Sequence, residues 1–328
     1  MDVALHHWGG DRMDFRARFS HPLRARLGVS SVLSSAAGDG REELLSPGLD
    51  ACRDLIAWRH RSRPVPGSDT AMKRLVIGFA FVTGIALLLG TGVVWNEYLR
   101  APPVEHQPLP SNLIPLDSPM GQALLDESDA VADYDELLAN FVAQSRKGYC
   151  GVATAITTLN AAGVTGTPLD QQTLFANPSV DANPWKVSFI GMSLRDLGDL
   201  LSAHGAKVSV INASSTNADA FRKVVRTNLN RDGDYVLINY ERKHLGQAQS
   251  GHISPLAAYH AQSDRVLILD VAAHKYPPVW VRLDEVWDAM NAPLNAETSV
   301  TRGFIIVHGR AGDQGDMPVS ALVSLGPH

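Results

Sequence analysis

The sequence predicts an α+β domain with a largely antiparallel sheet, preceded by one transmembrane or signal-anchor helix. Three observations carry that reading. Residues 75 to 95, "LVIGFAFVTGIALLLGTGVVW", hold 21 positions without a charge, enough at about 1.5 Å per residue to cover roughly 30 Å of hydrocarbon. Beyond residue 117 helical patterns come first and strand-like runs cluster later, the order expected of α+β rather than of alternating α/β units. Finally, 328 residues with 45% hydrophobic content suffice for a sizeable core.

Residues 1 to 71 carry arginine but no lysine, Pro-Gly breaks such as "RPVPGSD", and no sustained period of 2 or 3.6; they read as a disordered tail or a mis-assigned extension. Met72-Lys73-Arg74 has the shape of a signal n-region and is the expected true start. Residues 72 to 96 form the signal peptide or anchor. No clean small-x-small cleavage site follows, which favours an anchor. Arg59, Arg61, Arg63, Lys73 and Arg74 precede the apolar run, whereas Glu97, Arg100 and Glu105 follow it. By the positive-inside rule the remainder lies outside the cytoplasm, with a bacterial periplasm as the expected compartment.

The proline-rich stretch 97 to 116 reads as an extended tether. The globular part is placed at 117 to 310 and a tail at 311 to 328. Helical patterns fall at 129 to 143, at 150 to 161, from Ser193 with Asp196 as a capping-box partner, at 217 to 228 and at 283 to 290. Strand-like runs are 206 to 211, 234 to 240, 252 to 259, 265 to 271 and 303 to 308.

A formal net charge of -5 supplies no basic excess to neutralise phosphates, so a nucleic-acid binder is excluded. Two cysteines, Cys52 and Cys150, are too few for a disulfide framework or a cysteine-rich metal site. Cys150 follows a turn-like Gly-Tyr and opens a helical run. A thiol at a helix start sits beside unpaired N–H groups and the positive end of the dipole, both of which favour thiolate. A small apolar core residue is the alternative reading of a lone cysteine.

A nucleophilic thiol needs a base, and the base needs an orienting group. His252 opens the run "HISPLAAY" after a Gly-rich loop, and Asp270 ends the apolar strand "RVLILD", where packing gives a carboxylate no reason to be. Gln144, six residues before Cys150, can return its amide to the site as an oxyanion donor beside the Cys150 N–H.

Gln144 with "YCG", then "GHISPLAAYH", "LILDVAAHKYPPVWV" and "LDEVWDAMN" occur in that order. Together they resemble the phytochelatin synthase (glutathione γ-glutamylcysteinyltransferase) family over residues 117 to 310, in its short bacterial form. The resemblance implies a papain-like cysteine-peptidase fold, a Cys150-His252-Asp270 triad, Gln144 in the oxyanion hole, and Arg242 and Tyr240 near the substrate. Gly251 and Ser254, from the same His252 motif, join the substrate-binding candidates. Two departures stand out: the family's "GHFSPIGGY" is here "GHISPLAAY", and its "DVARFKYPP" is "DVAAHKYPP", with Ala273 at the arginine position and His274 at an aromatic one.

The activity so implied is removal of glycine from glutathione through a γ-glutamylcysteinyl thioester, passed to water or to a second glutathione, with a role in metal detoxification or glutathione turnover. No cofactor is expected for the chemistry. Cadmium or zinc ions would act as activators or enter as glutathione thiolate complexes, and a homodimer is one assembly option. Two other readings stand beside it. One is an envelope papain-like peptidase or amidase acting on other peptides. The other is a non-enzymatic metal-binding module built on His244, His252, His260 and His274, whose spacings fit neither an i, i+4 pair nor a zinc knuckle.

Overall fold

The computed structural model describes residues 68–294 and 298–308. Cys52, the extension before residue 68 and the tail from 311 lie outside the described residues. Helix α1 (Ser68–Val94) contains the apolar run up to Val94 and continues into a π-helical turn, Trp95–Leu99, that holds its last residue. Among the described residues it is the one helix long and apolar enough to cross a membrane, and Leu75, Phe79 and Leu88 on it are each about three-quarters exposed.

The remainder is an α+β arrangement. Seven strands form one antiparallel sheet: β1 (Ile114–Pro115), β2 (Lys207–Asn212), β3 (Tyr235–Glu241), β4 (Gly251–His260), β5 (Arg265–Ile268), β6 (Val279–Arg282) and β7 (Gly303–His308). Their order across the sheet is β1-β6-β5-β4-β3-β7-β2. Strand side chains alternate between faces, and here both faces are covered. Leu237, Ile253, Leu267 and Ile305 join one core, while Val236, Leu256, Val266 and Phe304 join the other.

The first core is built by α2 (Pro119–Asp126), α3 (Tyr134–Ala139), α4 (Cys150–Ala161), α5 (Pro184–Ile190) and α6 (Leu194–Ala203). The second is covered by α7 (Ala218–Asn228) and α8 (Leu283–Asn291). Ser193 caps α6 through the expected box: Ser193 Oγ accepts from the Asp196 N–H at 3.1 Å, and Asp196 Oδ2 accepts from the Ser193 N–H at 3.0 Å.

Three local expectations change. The helix read over 129 to 143 is confined to Tyr134–Ala139, because the Asn140 amide donates to the Glu136 carbonyl at the helix end. The next residues turn away, and the Val142 N–H donates instead to Thr157 Oγ1 at 3.0 Å. Past the π-helical turn the proline-rich stretch is extended, but it is docked rather than free. The Glu105 and Gln107 N–H groups donate to the carbonyls of His274 and Lys275, each at 2.9 Å, and β1 pairs with β6. Strand β6 itself, "VWVR", was too short to stand out from its proline-flanked surroundings.

Candidate active site

Helix α4 is central: ten of its twelve residues are buried. Small residues permit this. A Cβ at Gly151 would lie 2.9 Å from Met192 Sδ and 3.4 Å from Ile253 Cδ1. In the turn before the helix, a Cβ at Gly148 would sit 2.4 Å from the Val187 carbonyl oxygen, so glycine is required there by close backbone approach. Cys150 is the first residue of α4 and is 9% exposed. The backbone N–H groups of Ile253 and Gly151 favour its thiolate form. Thr154 Oγ1, one turn on, donates to the Ile253 carbonyl at 3.1 Å, so the helix is pinned to β4 beside His252.

His252 and Asp270 meet. The imidazole Nε2 lies 2.9 Å from Asp270 Oδ1, with the N–H directed off the line to that oxygen. Asp270 Oδ1 accepts from the Ala272 N–H at 2.9 Å and from Arg242 Nη2 at 2.8 Å. This pairing leaves Nδ1 as the imidazole atom available to the thiol. Among the described residues no hydrogen bond joins the Cys150 thiol to the imidazole, a contact that commonly tightens only with substrate bound.

Electrostatics set a neutral resting pair. Burial pushes the Cys150 thiol up, against the lowering contributed by the Ile253 and Gly151 N–H groups. The expectation from the helix terminus alone is thus corrected: desolvation outweighs it. Burial, reinforced by the Arg242 charge, holds His252 down at about 4 despite Asp270. For Asp270 burial acts upward, yet Arg242 and His252 prevail and keep the carboxyl well below the usual range.

Arg242, expected near the substrate, packs against Asp270. It is 2% exposed, donates to Asp270 and Gln247, and lies 5.0 Å from the Tyr276 ring centroid and 5.8 Å from that of Tyr240. Tyr240, also buried, is the cross-strand partner of His252 and packs edge-on against its ring at 5.6 Å and 86°. Ser254 is fully buried one step deeper along β4, where its Oγ accepts from the Val271 N–H at 3.4 Å. Arg242 thus contacts the aspartate and Tyr240 the histidine, and all three side chains are buried. Gly251 alone of the substrate candidates is exposed, at the mouth of β4.

Gln144 is buried, and its backbone N–H donates to the Val271 carbonyl at 2.9 Å. Its side-chain amide donates to the carbonyls of Arg146 and Lys147, at 3.0 and 3.1 Å, bracing the turn that leads to Cys150. In this state both amide protons are committed to that turn.

Sequence reading missed a second buried ion pair. Arg302 Nη2 donates to Glu241 Oε2 at 2.7 Å, with side chains 8% and 10% exposed. Arg302 Nη2 would also lie 3.1 Å from a Cβ at Gly251, so the pair borders the residue next to His252. Glu241 Oε1 and Arg302 Nε are buried without partners. Glu241 closes a β-strand run, a place where a carboxylate is unexpected, and that was the available signal. On the other side, a cavity of about 710 Å³ is lined by Asn183, Lys186, Ile190, Met192, Asp196 and Leu294. Met192 links it to the start of α4. No group of three or more His, Cys, Asp or Glu side chains among the described residues could hold a metal ion.

A thiol at a helix start, a histidine and an aspartate fixed behind it have the composition of a thiol-dependent acyl-transfer site. Comparison with known proteins narrows that class. A family model described as Phytochelatin synthase matches residues 104–304, and the chain belongs to the phytochelatin synthase family. It is 33% identical over 189 residues to glutathione gamma-glutamylcysteinyltransferase 1 of Lotus japonicus, covering 55% of this chain and 37% of that protein. It is 34% identical over 179 residues to the Triticum aestivum protein of the same name (53% and 36%). A Schizosaccharomyces pombe glutathione gamma-glutamylcysteinyltransferase is 26% identical over 210 residues (61% and 50%). The matches thus span between about a third and a half of these relatives' length.

Proposed function

We propose that the chain is a membrane-anchored glutathione γ-glutamylcysteinyltransferase whose catalytic domain lies outside the cytoplasm and whose fold is papain-like. The observation that carries this reading is the Arg242-Asp270-His252 chain of contacts ending beside Cys150. The fold assignment rests on a nucleophile-bearing central helix packed against an antiparallel sheet whose β4 supplies the histidine, with the aspartate two residues past the end of β5.

Cys150 Sγ attacks the carbonyl carbon of the cysteine-glycine bond while His252 Nδ1 takes the thiol proton. Because both groups are neutral at rest, proton transfer accompanies attack, and Asp270 stabilises the imidazolium that forms. The tetrahedral oxyanion is met by first-turn N–H groups of α4, which lack intrahelical acceptors. Gln144 joins them after a rotation of its terminal amide. Collapse breaks the C–N bond, His252 returns the proton to the departing glycine amine, and a γ-glutamylcysteinyl thioester remains. Water or the amine of a second glutathione then attacks the thioester, and the thiol is regenerated.

The partnerless Glu241 Oε1 and Arg302 Nε beside Gly251 suit the ammonium and carboxylate of a γ-glutamyl group. Cadmium or zinc ions enter as thiolate complexes of glutathione, that is, as part of the substrate. The test is mass spectrometry of glutathione incubated with the full chain in detergent micelles, with and without cadmium ions. Glycine together with γ-glutamylcysteine or longer chains is the expected result. Intact glutathione alongside an alkylatable Cys150 would overturn the substrate assignment.

A further inference from the structure

The segment that leaves α1 does not drift away from the domain. Within the π-helical turn, the Tyr98 ring packs 4.7 Å from that of Phe189 on α5, and the Glu97 carboxylate pairs with Lys147. Helix α5 is thereby tied to the end of the apolar helix. It buries Val187 and Ser188 yet exposes Trp185 to 60%, Phe189 to 42% and Ile190 to 72%. Lys186 stands among them in sequence. Trp95, 60% exposed, closes the apolar run.

Depth follows from length. Tyr98 is three residues past Trp95, so at about 1.5 Å per residue it rises only about 5 Å above the hydrocarbon edge. That keeps it within one headgroup layer of about 5–7.5 Å, taken as half the difference between roughly 30 Å of hydrocarbon and 40–45 Å overall. Phe189, its ring centroid 4.7 Å from that of Tyr98, lies within about that distance of the same level. An exposed tryptophan, phenylalanine and isoleucine with a neighbouring lysine are the side chains that favour this layer.

We infer that α5 is a second membrane contact: Trp185, Phe189 and Ile190 enter the headgroup boundary of the bilayer that α1 crosses, with Lys186 at the lipid phosphates. The inference rests on the anchoring reading above. It has a consequence for the site. Lys186 and Ile190 also line the cavity that Met192 connects to the nucleophile's helix, so the mouth of that cavity opens along the membrane surface.

The full chain, reconstituted into phosphatidylcholine–phosphatidylglycerol vesicles, tests this with lipids brominated near the headgroup. Trp185 emission is taken as the difference between the native chain and Trp185→Phe. Most of that difference emission should be lost to the brominated lipid, and Ile190→Asp should restore it. A chain that resists carbonate extraction, and whose Trp185 is quenched by aqueous iodide but not by lipid, keeps its anchor and overturns the docking. A chain that fails to float with vesicles overturns the anchor and the docking together.

Discussion

Arg242 and Asp270 form an ion pair almost wholly removed from solvent: Nη2 lies 2.7 Å from Oδ2, with side chains 3% and 0% exposed. Removing one partner of such a pair leaves a buried charge without compensation, which typically costs about 3–5 kcal/mol. Arg242→Met should therefore lower the melting temperature sharply. In whatever folds, the acid limb of the pH–rate profile should move upward, because Asp270 loses the charge that keeps it ionised. A pure substrate-binding role for Arg242 would instead raise KM and leave that limb in place.

Cys150→Ser is expected to abolish turnover of glutathione while the circular dichroism spectrum stays native. Alkylation of native Cys150 by iodoacetamide gives a finer reading. Burial raises the thiol and lowers His252 to about 4, so the rate should climb steadily from neutral into alkaline pH. A plateau between pH 5 and 7 would instead signal a standing thiolate–imidazolium pair.

Two buried groups pull stability in opposite directions with pH. His252 is held at about 4 when folded against about 6.5 when unfolded, so its contribution is complete above about 6.5. It is lost as pH falls toward 4, by about 3 kcal/mol in all. Asp133 is the reverse. Burial pushes it up to about 7, so the folded chain keeps a proton that the unfolded chain releases near 3.9, and this contribution is lost as pH rises through 7. Asp133→Asn can still accept the Gly233 N–H and removes the second slope. Melting temperature in that variant should rise more steeply between pH 4 and 6.5 than in the native chain.

Gly148→Ala should be poorly tolerated. The clashing atom is a backbone oxygen 2.4 Å away, which cannot rotate aside, so α5 or the turn before Cys150 must shift. Overpacking of this kind costs about 1–3 kcal/mol. Thermal unfolding reads the loss, and a drop in kcat larger than that of Gly166→Ala, where a Cβ meets nothing within 4 Å, reads the displaced nucleophile.

Much of this architecture was legible because it is written locally. Ser193 and Asp196 announce their helix, the near-continuous apolar runs in 234 to 240 and 303 to 308 announce strands buried on both faces, and a cysteine after Gly-Tyr marks a helix start. Asp270 stood out as a charge ending an apolar run. What stayed hidden depends on pairing at a distance. Ile114 and Pro115 are a strand only because Trp280 and Val279 lie opposite them. No sequence period could place Arg242 beside Asp270, or bring Arg302, just before β7, to Glu241 at the end of the neighbouring β3. The net direction of the Cys150 shift was likewise out of reach, since it depends on how much protein surrounds the sulfur.

The docked stretch before α2 also decides where a soluble version of the domain can safely be cut. A start at residue 117, where the globular pattern begins, would strip β1 from Val279 and Trp280 and free the His274 and Lys275 carbonyls. The bared strand would then offer itself to any neighbouring chain, a route to aggregation. A start at or before Ala101 keeps that edge sealed.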